Sequence, residues 1–158
     1  IQYYLALTSL LEQNRQSDEA IKTLDALQQR FGVQEEYRVR EIRLLEMEGK
    51  WSAAEQLAEK GISAEVINIH TIKPLDEAAI LASVAKTSCI VTAEEHNILG
   101  GLGESVARTL ASKHPVPQEF IGTNDTFGES GTPAQLMEKY GLNAAAITTA
   151  CEKVIKRK

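Results

Sequence analysis

The sequence predicts an α/β fold, a mostly parallel sheet with helices on its faces preceded by an α-helical hairpin repeat, and three observations carry that prediction. From Ile1 to about Lys60, apolar residues recur three and four apart, the period of amphipathic helices. After Gly61 the period changes, and short β-branched runs alternate with capped helical stretches, the order that builds parallel sheets. Within the helical part, Tyr3, Leu10, Leu11, Glu12 and Ala20 return 34 residues later as Tyr37, Leu44, Leu45, Glu46 and Ala54.

The first helix presents Tyr3, Leu7, Leu10 and Leu11 on one face, and the second presents Ile21, Leu24, Leu27 and Phe31, with a break near Ser17. Gly32 and Gly49 read as helix stops, because glycine reaches positive φ without a Cβ penalty. A fourth short helix is expected from Ser52, whose hydroxyl and Glu55 form a reciprocal capping box, to Gly61. The 34-residue period matches a tetratricopeptide repeat, and Gly49-Lys50-Trp51-Ser52-Ala53-Ala54 resembles the turn between its helices. The first copy departs from it, with Arg15 and Ser17 where the second has Gly49 and Trp51. Tyr37 and Trp51 are expected to pack between helices.

Ala64 to His70 reads as a strand, and Pro74 and Asp76 turn the chain into a helix facing inward with Ile80, Leu81, Val84 and Ala85. Cys89 to Ala93 reads as a second buried strand. Gly100 to Gly103 opens a helix with Leu102, Val106 and Leu110 on one face. Pro115 and Pro117 bound a third strand at Glu119, Phe120 and Ile121. Thr132, Pro133 and Gln135 supply cap, first-turn proline and capping-box partner for the next helix. The last helix starts at Asn143, with Ile147, Cys151, Val154 and Ile155 inward.

Composition excludes several function classes. A formal charge of -5 leaves no cationic field to attract nucleic acid. The two cysteines, Cys89 and Cys151, have no Cys-x-x-Cys spacing, which fits a reducing compartment, and a cytoplasmic location is expected. No apolar run is long enough to span a bilayer, and no export signal precedes the helices. The chain begins at Ile1, so its true start is expected upstream.

Several motifs invite chemistry. Gly100, Gly101 and Gly103 before a helix could cradle an anion. Their spacing is not Gly-x-Gly-x-x-Gly and no P-loop lysine follows, so tight helix-to-sheet packing explains them better. Glu94, Glu95 and His96 sit where a strand's carboxyl end places ligands in open α/β sheets. Neighbours on extended backbone point to opposite sides, so Glu94 and Glu95 do not converge as an acid/base pair unless the chain turns. His70, His96 and His114 lack zinc-site spacings. Gly128-Glu129-Ser130-Gly131-Thr132 fails as a nucleophile elbow, because Thr132 occupies the second glycine's place.

Taken in order, Thr71-Ile72-Lys73-Pro74-Leu75-Asp76, Val91 to His96, Gly100 to Val106 and Asp125 to Leu142 resemble the C-terminal domain of transketolases, from about Ala53 to Lys158. Deoxyxylulose phosphate synthase and the pyruvate dehydrogenase beta subunit share this domain more loosely. The resemblance implies a three-layer α/β/α domain, with domains at 1–51 (helical, tetratricopeptide-like) and 52–158. It implies the chemistry of thiamine diphosphate and Mg, two-carbon ketol transfer between sugar phosphates in the pentose phosphate pathway. The family's cofactor lies between a pyrophosphate-binding and a pyrimidine-binding domain, and the metal motif Gly-Asp-Gly followed by Asn has no counterpart here. The resemblance therefore assigns no catalytic, cofactor or metal ligand to this chain, which alone is expected to bind no cofactor and to be inactive. It associates Glu94, Glu95, His96, Gly100, Gly101, Asp125, Phe127 and Ser130 with the active-site entrance or a subunit contact.

The family's first apolar strand, central in its sheet, has no counterpart either. Arg40 to Gly49 stands in its place and is helical and charge-rich, so strands 64–70 and 89–94 are expected to expose edges or pair anew. The chain thus reads as a chimera of a helical repeat and a truncated transketolase-like tail. Its expected partners are subunits bearing the missing N-terminal and pyrimidine-binding parts, or a second copy. The alternative is a protein-interaction module built on the N-terminal helices; an independent small enzyme using Glu94 and His96 is disfavoured by geometry.

Overall fold

Leu24 and Leu27 are fully buried, and with Tyr37 they form the seam on which three helices meet. The computed structural model describes residues 2–14 and 16–158, without the side chains at 3, 38, 42 and 46. The readings placed on Ile1, Arg15 and the side chains of Tyr3 and Glu46 lie outside the described residues. The helices are α1 (Gln2–Gln13), α2 (Ser17–Phe31) and α3 (Glu35–Glu59). Tyr4, Leu5 and Leu44 pack round the seam. Polar pairs fix the register: Arg40 donates to both oxygens of Glu12 at 2.7 and 2.8 Å, and Gln28 donates to the buried Glu41 at 3.0 Å. Gly32 ends α2 with φ +91°, as the sequence predicts.

Gly49 does not end a helix. α3 runs through it for 25 residues, so the capping box at Ser52 and Glu55 has no helix start to serve. The reason is tertiary: the second half of α3 lies along a later helix, with Gly49 facing the backbone at Leu142 and Ala144. That packing outweighs the cost of about 1 kcal/mol for a helical glycine. Among the described residues the turn expected between tetratricopeptide helices is therefore absent, and α1 and α2 form one hairpin followed by one long helix, α3. Trp51, expected between helices, is 48 % exposed, and the 51/52 boundary falls inside α3. A Cβ at Gly49 would meet Ala144 N at 3.8 Å and Leu142 O at 4.0 Å, which is ordinary contact. Gly49→Ala should therefore raise stability by about 0.5–1 kcal/mol, read as a higher urea midpoint.

The remaining elements are α4 (Glu77–Thr87), β1 (Ile90–Asn97), α5 (Leu102–Lys113), β2 (Gln118–Thr123), α6 (Pro133–Lys139) and α7 (Ala144–Ile155). Their starts are those the sequence signals. Asp76 accepts from Ala79 N at 3.0 Å, Asn143 from Ala146 N at 2.9 Å, and Thr132 and Gln135 close their capping box behind Pro133. On α4, Ser83 is buried with Ile80 and Val84, whereas Ala85 is exposed.

β1 and β2 pair in parallel, with Ile90 opposite Gln118 and Thr92 opposite Phe120. Alternate side chains face opposite layers. Phe120 and Thr92 meet Gly103 of α5, whereas Glu119 points to α7, where Lys153 at 2.7 Å and Arg157 hold its carboxyl below the usual carboxylate range. Ile80, Val84, Val106 and Leu110 form the core between α4 and α5. α7 covers the other face, with α3 behind it. The three-layer α/β/α arrangement thus holds.

The expected strand at 64–70 does not form; residues 62–70 carry no regular structure, and the described sheet has two strands. Strand pairing needs a neighbour at about 4.8 Å. Glu65 is tied to Lys86 of α4 at 2.8 Å and Ile69 packs on the α4/α5 core, which hold this run away from β1. β1 also runs longer than expected. Glu94, Glu95 and His96 lie inside it, within an irregular stretch between Ala93 and Asn97.

Candidate functional site

The carboxyl ends of β1 and β2 bring most of the predicted residues together. Glu94 accepts from Leu102 N at 2.6 Å through Oε2 and from Gly103 N at 2.8 Å through Oε1. A strand carboxylate thus satisfies two of the donors that a helix start leaves unpaired, at the positive end of the helix dipole. Gly101 is buried beneath it because no side chain fits: a Cβ would lie 2.0 Å from Glu94 Oε2 and 2.9 Å from the Asn97 carbonyl oxygen. At Gly103 a Cβ would lie 2.5 Å from the Phe120 ring. Gly101 and Gly103 allow the tight helix-to-sheet packing expected of all three glycines; Gly100 does not, since a Cβ there would meet nothing within 4 Å.

Gly100 has φ +81° and donates from its N–H to Glu104 at 2.9 Å. Asn97 links the two loops: its Nδ2 donates to Asp125 at 2.8 Å and its Oδ1 accepts from Leu99 N at 2.9 Å. Sequence reading missed Asn97, Leu99 and Glu104. An Asn that bonds its own backbone two residues on, ahead of a glycine pair, is a recognisable turn signal for the first two. Glu104 shows no signal, since only the fold brings it to Gly100. Glu94 therefore points inward and Glu95 outward, as strand alternation predicts. Glu95 and His96 are exposed, and His96 Nδ1 lies 2.9 Å from the Asn97 carbonyl oxygen. Phe127 is 98 % exposed and Ser130 stands in the same exposed loop, which the Asn97–Asp125 link ties to the loop bearing the 56 % exposed Leu99.

Geometry decides what this arrangement can hold. The amides of Gly100, Leu102 and Gly103, the donors a diphosphate would need here, already donate to the carboxylates of Glu104 and Glu94. Among the described residues no group of three His, Cys, Asp or Glu could hold a metal ion. The donor set here does not fit thiamine diphosphate or its cation. No described helix is long and apolar enough to cross a membrane.

Cys151 of α7 lies on the inner side of the sheet, where burial pushes its thiol up to about 11. Its native state holds a proton that the unfolded chain releases above about pH 8.5, so stability should be full below that and fall as pH rises through about 11. Alkylation of Cys151 by iodoacetamide should accordingly stay slow at pH 8 and accelerate towards pH 11; fast labelling at pH 8 would contradict the assignment.

Comparison with known proteins gives a consistent result. The family described as "Transketolase, C-terminal domain" matches residues 46–147. The 6-deoxy-6-sulfo-D-fructose transketolase subunit of Clostridium sp. is 49 % identical over 106 residues, covering 67 % of this chain and 33 % of that protein. A 1-deoxy-D-xylulose-5-phosphate synthase of Geobacter sulfurreducens is 43 % identical over 108 residues, 67 % of this chain and 17 % of that protein. Among solved structures, a split gene transketolase described as an inactive beta4 tetramer superposes with a TM-score of 0.67 at 40 % identity, over 70 % of this chain and 36 % of that one. The chain spans about a third or less of the length of these relatives.

Proposed function

Because this chain belongs to the transketolase C-terminal domain family, we propose that it is the non-catalytic C-terminal module of a transketolase-like, thiamine diphosphate-dependent enzyme. Two-carbon ketol transfer between sugar phosphates is then performed with domains or subunits outside residues 1–158. Residues 52–158, which begin within α3, form the module, and α1, α2 and the first part of α3 an appendage. The cofactor, when bound, supplies the carbanion chemistry on those other domains; this chain supplies packing and part of the wall at the active-site entrance.

The observation that carries this reading is the division of labour at the strand ends. Glu94, Gly100, Gly101 and Asp125 are spent on holding two loops in place, and the exposed side chains beside them are Glu95 and His96 at the end of β1 and Leu99, Phe127 and Ser130 on the loops. A wholly exposed phenylalanine on a tethered loop suits a protein contact, since about 2–3 kcal/mol is gained when such a side chain leaves water. Interface anchors of this kind carry most of the binding energy.

The test mixes the chain with a transketolase truncated before its C-terminal domain, with thiamine diphosphate and Mg. We expect association by analytical ultracentrifugation, ketol transfer only in the mixture, and none from the chain alone. Phe127→Asp should weaken association at least about tenfold, a loss of one anchor, while leaving circular dichroism unchanged. Turnover by the isolated chain, or association insensitive to Phe127→Asp, would overturn the respective half of the proposal.

A further inference from the structure

A cavity of about 780 Å³ lies beside β1, with the irregular run 62–70 across it. That volume falls in the range of about 300–1,000 Å³ in which drug-sized ligands are held. Its walls are largely apolar, with Ile80 and Val106 on the side of α4 and α5, and Met47, Leu57 and Val154 on the side of α3 and α7. Water gains little from such a lining, so the space favours an apolar guest.

One wall adds direction. Ile90 N donates to Pro117 O, so in the parallel ladder alternate residues from 90 face β2, and the N–H and C=O of Val91 and Ala93 turn to the opposite edge, into the cavity. Backbone donors and acceptors shielded from water demand partners. Among the described residues no backbone hydrogen bond crosses from β1 to 62–70. The guest therefore needs one hydrogen-bonding edge, a donor for Val91 O beside an acceptor for Ala93 N, and apolar surface elsewhere. A polypeptide strand carries polar groups along both edges and would meet an irregular run on its far side. Charge sets a further condition. Arg43 and Lys50 line the cavity together with Glu65, Glu94 and Glu95. Glu65 is tied to Lys86 at 2.8 Å, and Glu94 is held by the amides of Leu102 and Gly103. His70 and His96, on the same lining, are exposed and engaged by Thr71 at 2.7 Å and the Asn97 carbonyl oxygen at 2.9 Å. Cations and carboxylates interspersed in this way leave no field of one sign to draw an ion in, so the guest is neutral.

We propose that this cavity binds a neutral, largely apolar small molecule bearing one planar amide edge, a lactam or related heterocycle, whose N–H donates to Val91 O and whose C=O accepts from Ala93 N. The N–H and C=O of a lactam stand side by side on one edge, as the C=O of residue 91 and the N–H of residue 93 do along a strand. Its ring then lies in the plane of the sheet, and its apolar substituents reach the helices on either side. This inference goes beyond the enzymatic reading above and does not depend on it, since binding needs only β1 and the helices round it.

The probe is 6-phenylquinolin-2(1H)-one, added to the full chain and compared with its N-methyl form, which keeps the apolar surface and loses the donor. With the lactam, Tm should rise as its concentration rises, and amide exchange at Ala93, followed by NMR, should slow at least about tenfold. The N-methyl form should bind at least about tenfold more weakly, because it leaves Val91 O unpaired. Equal binding of the two forms would mark a general apolar site and overturn the proposal. An unmoved Tm up to the solubility limit of the lactam would overturn it too. Ala93→Pro removes the donor that faces the cavity and spares the ladder to β2, so this variant should lose the preference for the lactam over its N-methyl form; a retained preference would refute the assigned edge. Circular dichroism checks that it folds. Ala54→Leu, at a second lining position on α3, narrows the cavity without touching β1 and should weaken both forms about tenfold. Unchanged affinity in that variant would place the ligand elsewhere and overturn the proposal, whether or not Ala93→Pro folds.

Discussion

Glu94→Ala is expected to destabilise the fold by about 2–4 kcal/mol, because two bonds to a charged acceptor are lost together and each is worth roughly 1.5–3 kcal/mol. The Glu94 carboxylate is the acceptor for Leu102 N and Gly103 N at 2.6 and 2.8 Å, and Gly103 is buried, so water replaces it poorly. The helix dipole adds to the loss, since a negative charge leaves the positive end of α5. Glu94→Gln keeps one oxygen in place and should cost about half as much. Urea denaturation reads both, and an unchanged m-value would show that the native state kept its compactness. Costs below about 0.5 kcal/mol, the range of ordinary surface substitutions, would mean that the carboxylate is not a structural cap and would return Glu94 to the list of groups free for chemistry.

Gly101→Ala is the second large effect, of about 2–4 kcal/mol, and it acts on the same carboxylate. The added methyl carbon would stand 2.0 Å from Glu94 Oε2 and 2.9 Å from the Asn97 carbonyl oxygen. The carboxylate is pinned by two amides and the carbonyl is backbone, so the carboxylate is driven out and α5 loses its cap. A double-mutant cycle tests this directly. If the methyl acts by expelling Glu94, Glu94→Ala with Gly101→Ala should cost less than the sum of the single changes by about 1–3 kcal/mol. Strict additivity would place the strain in the Asn97 backbone instead.

These two residues also show where sequence reading reached and where it stopped. Glycines 100, 101 and 103 read as packing glycines from the failure of every anion-binding spacing; the close approaches to Glu94 and Phe120 are that packing at 101 and 103, whereas Gly100 has open space beside it and is held instead by its φ of +81°. The opposite orientation of Glu94 and Glu95 followed from strand alternation alone. That Glu94 caps a helix could not follow, because its partners lie eight and nine residues away and are chosen by how α5 docks on β1. Four matching blocks in order were enough to recognise the family and its layers.

What the sequence determined by itself is local or cumulative: the helix starts at Asp76, Thr132 and Asn143, whose caps are made by side chains within three residues, and the family, read from motifs whose order is preserved. What only the tertiary structure decided is every contest between a local preference and a distant contact. Gly49 has the signature of a helix stop, yet α3 passes through it because packing against α7 outweighs about 1 kcal/mol of glycine cost. Ala64 to His70 has the composition of a strand and forms none, because a strand is defined by its neighbour, and the edge of β1 that could pair with it lies across a cavity. Helical caps need only their own turn, whereas a β-ladder needs a second backbone that no stretch of sequence can supply for itself.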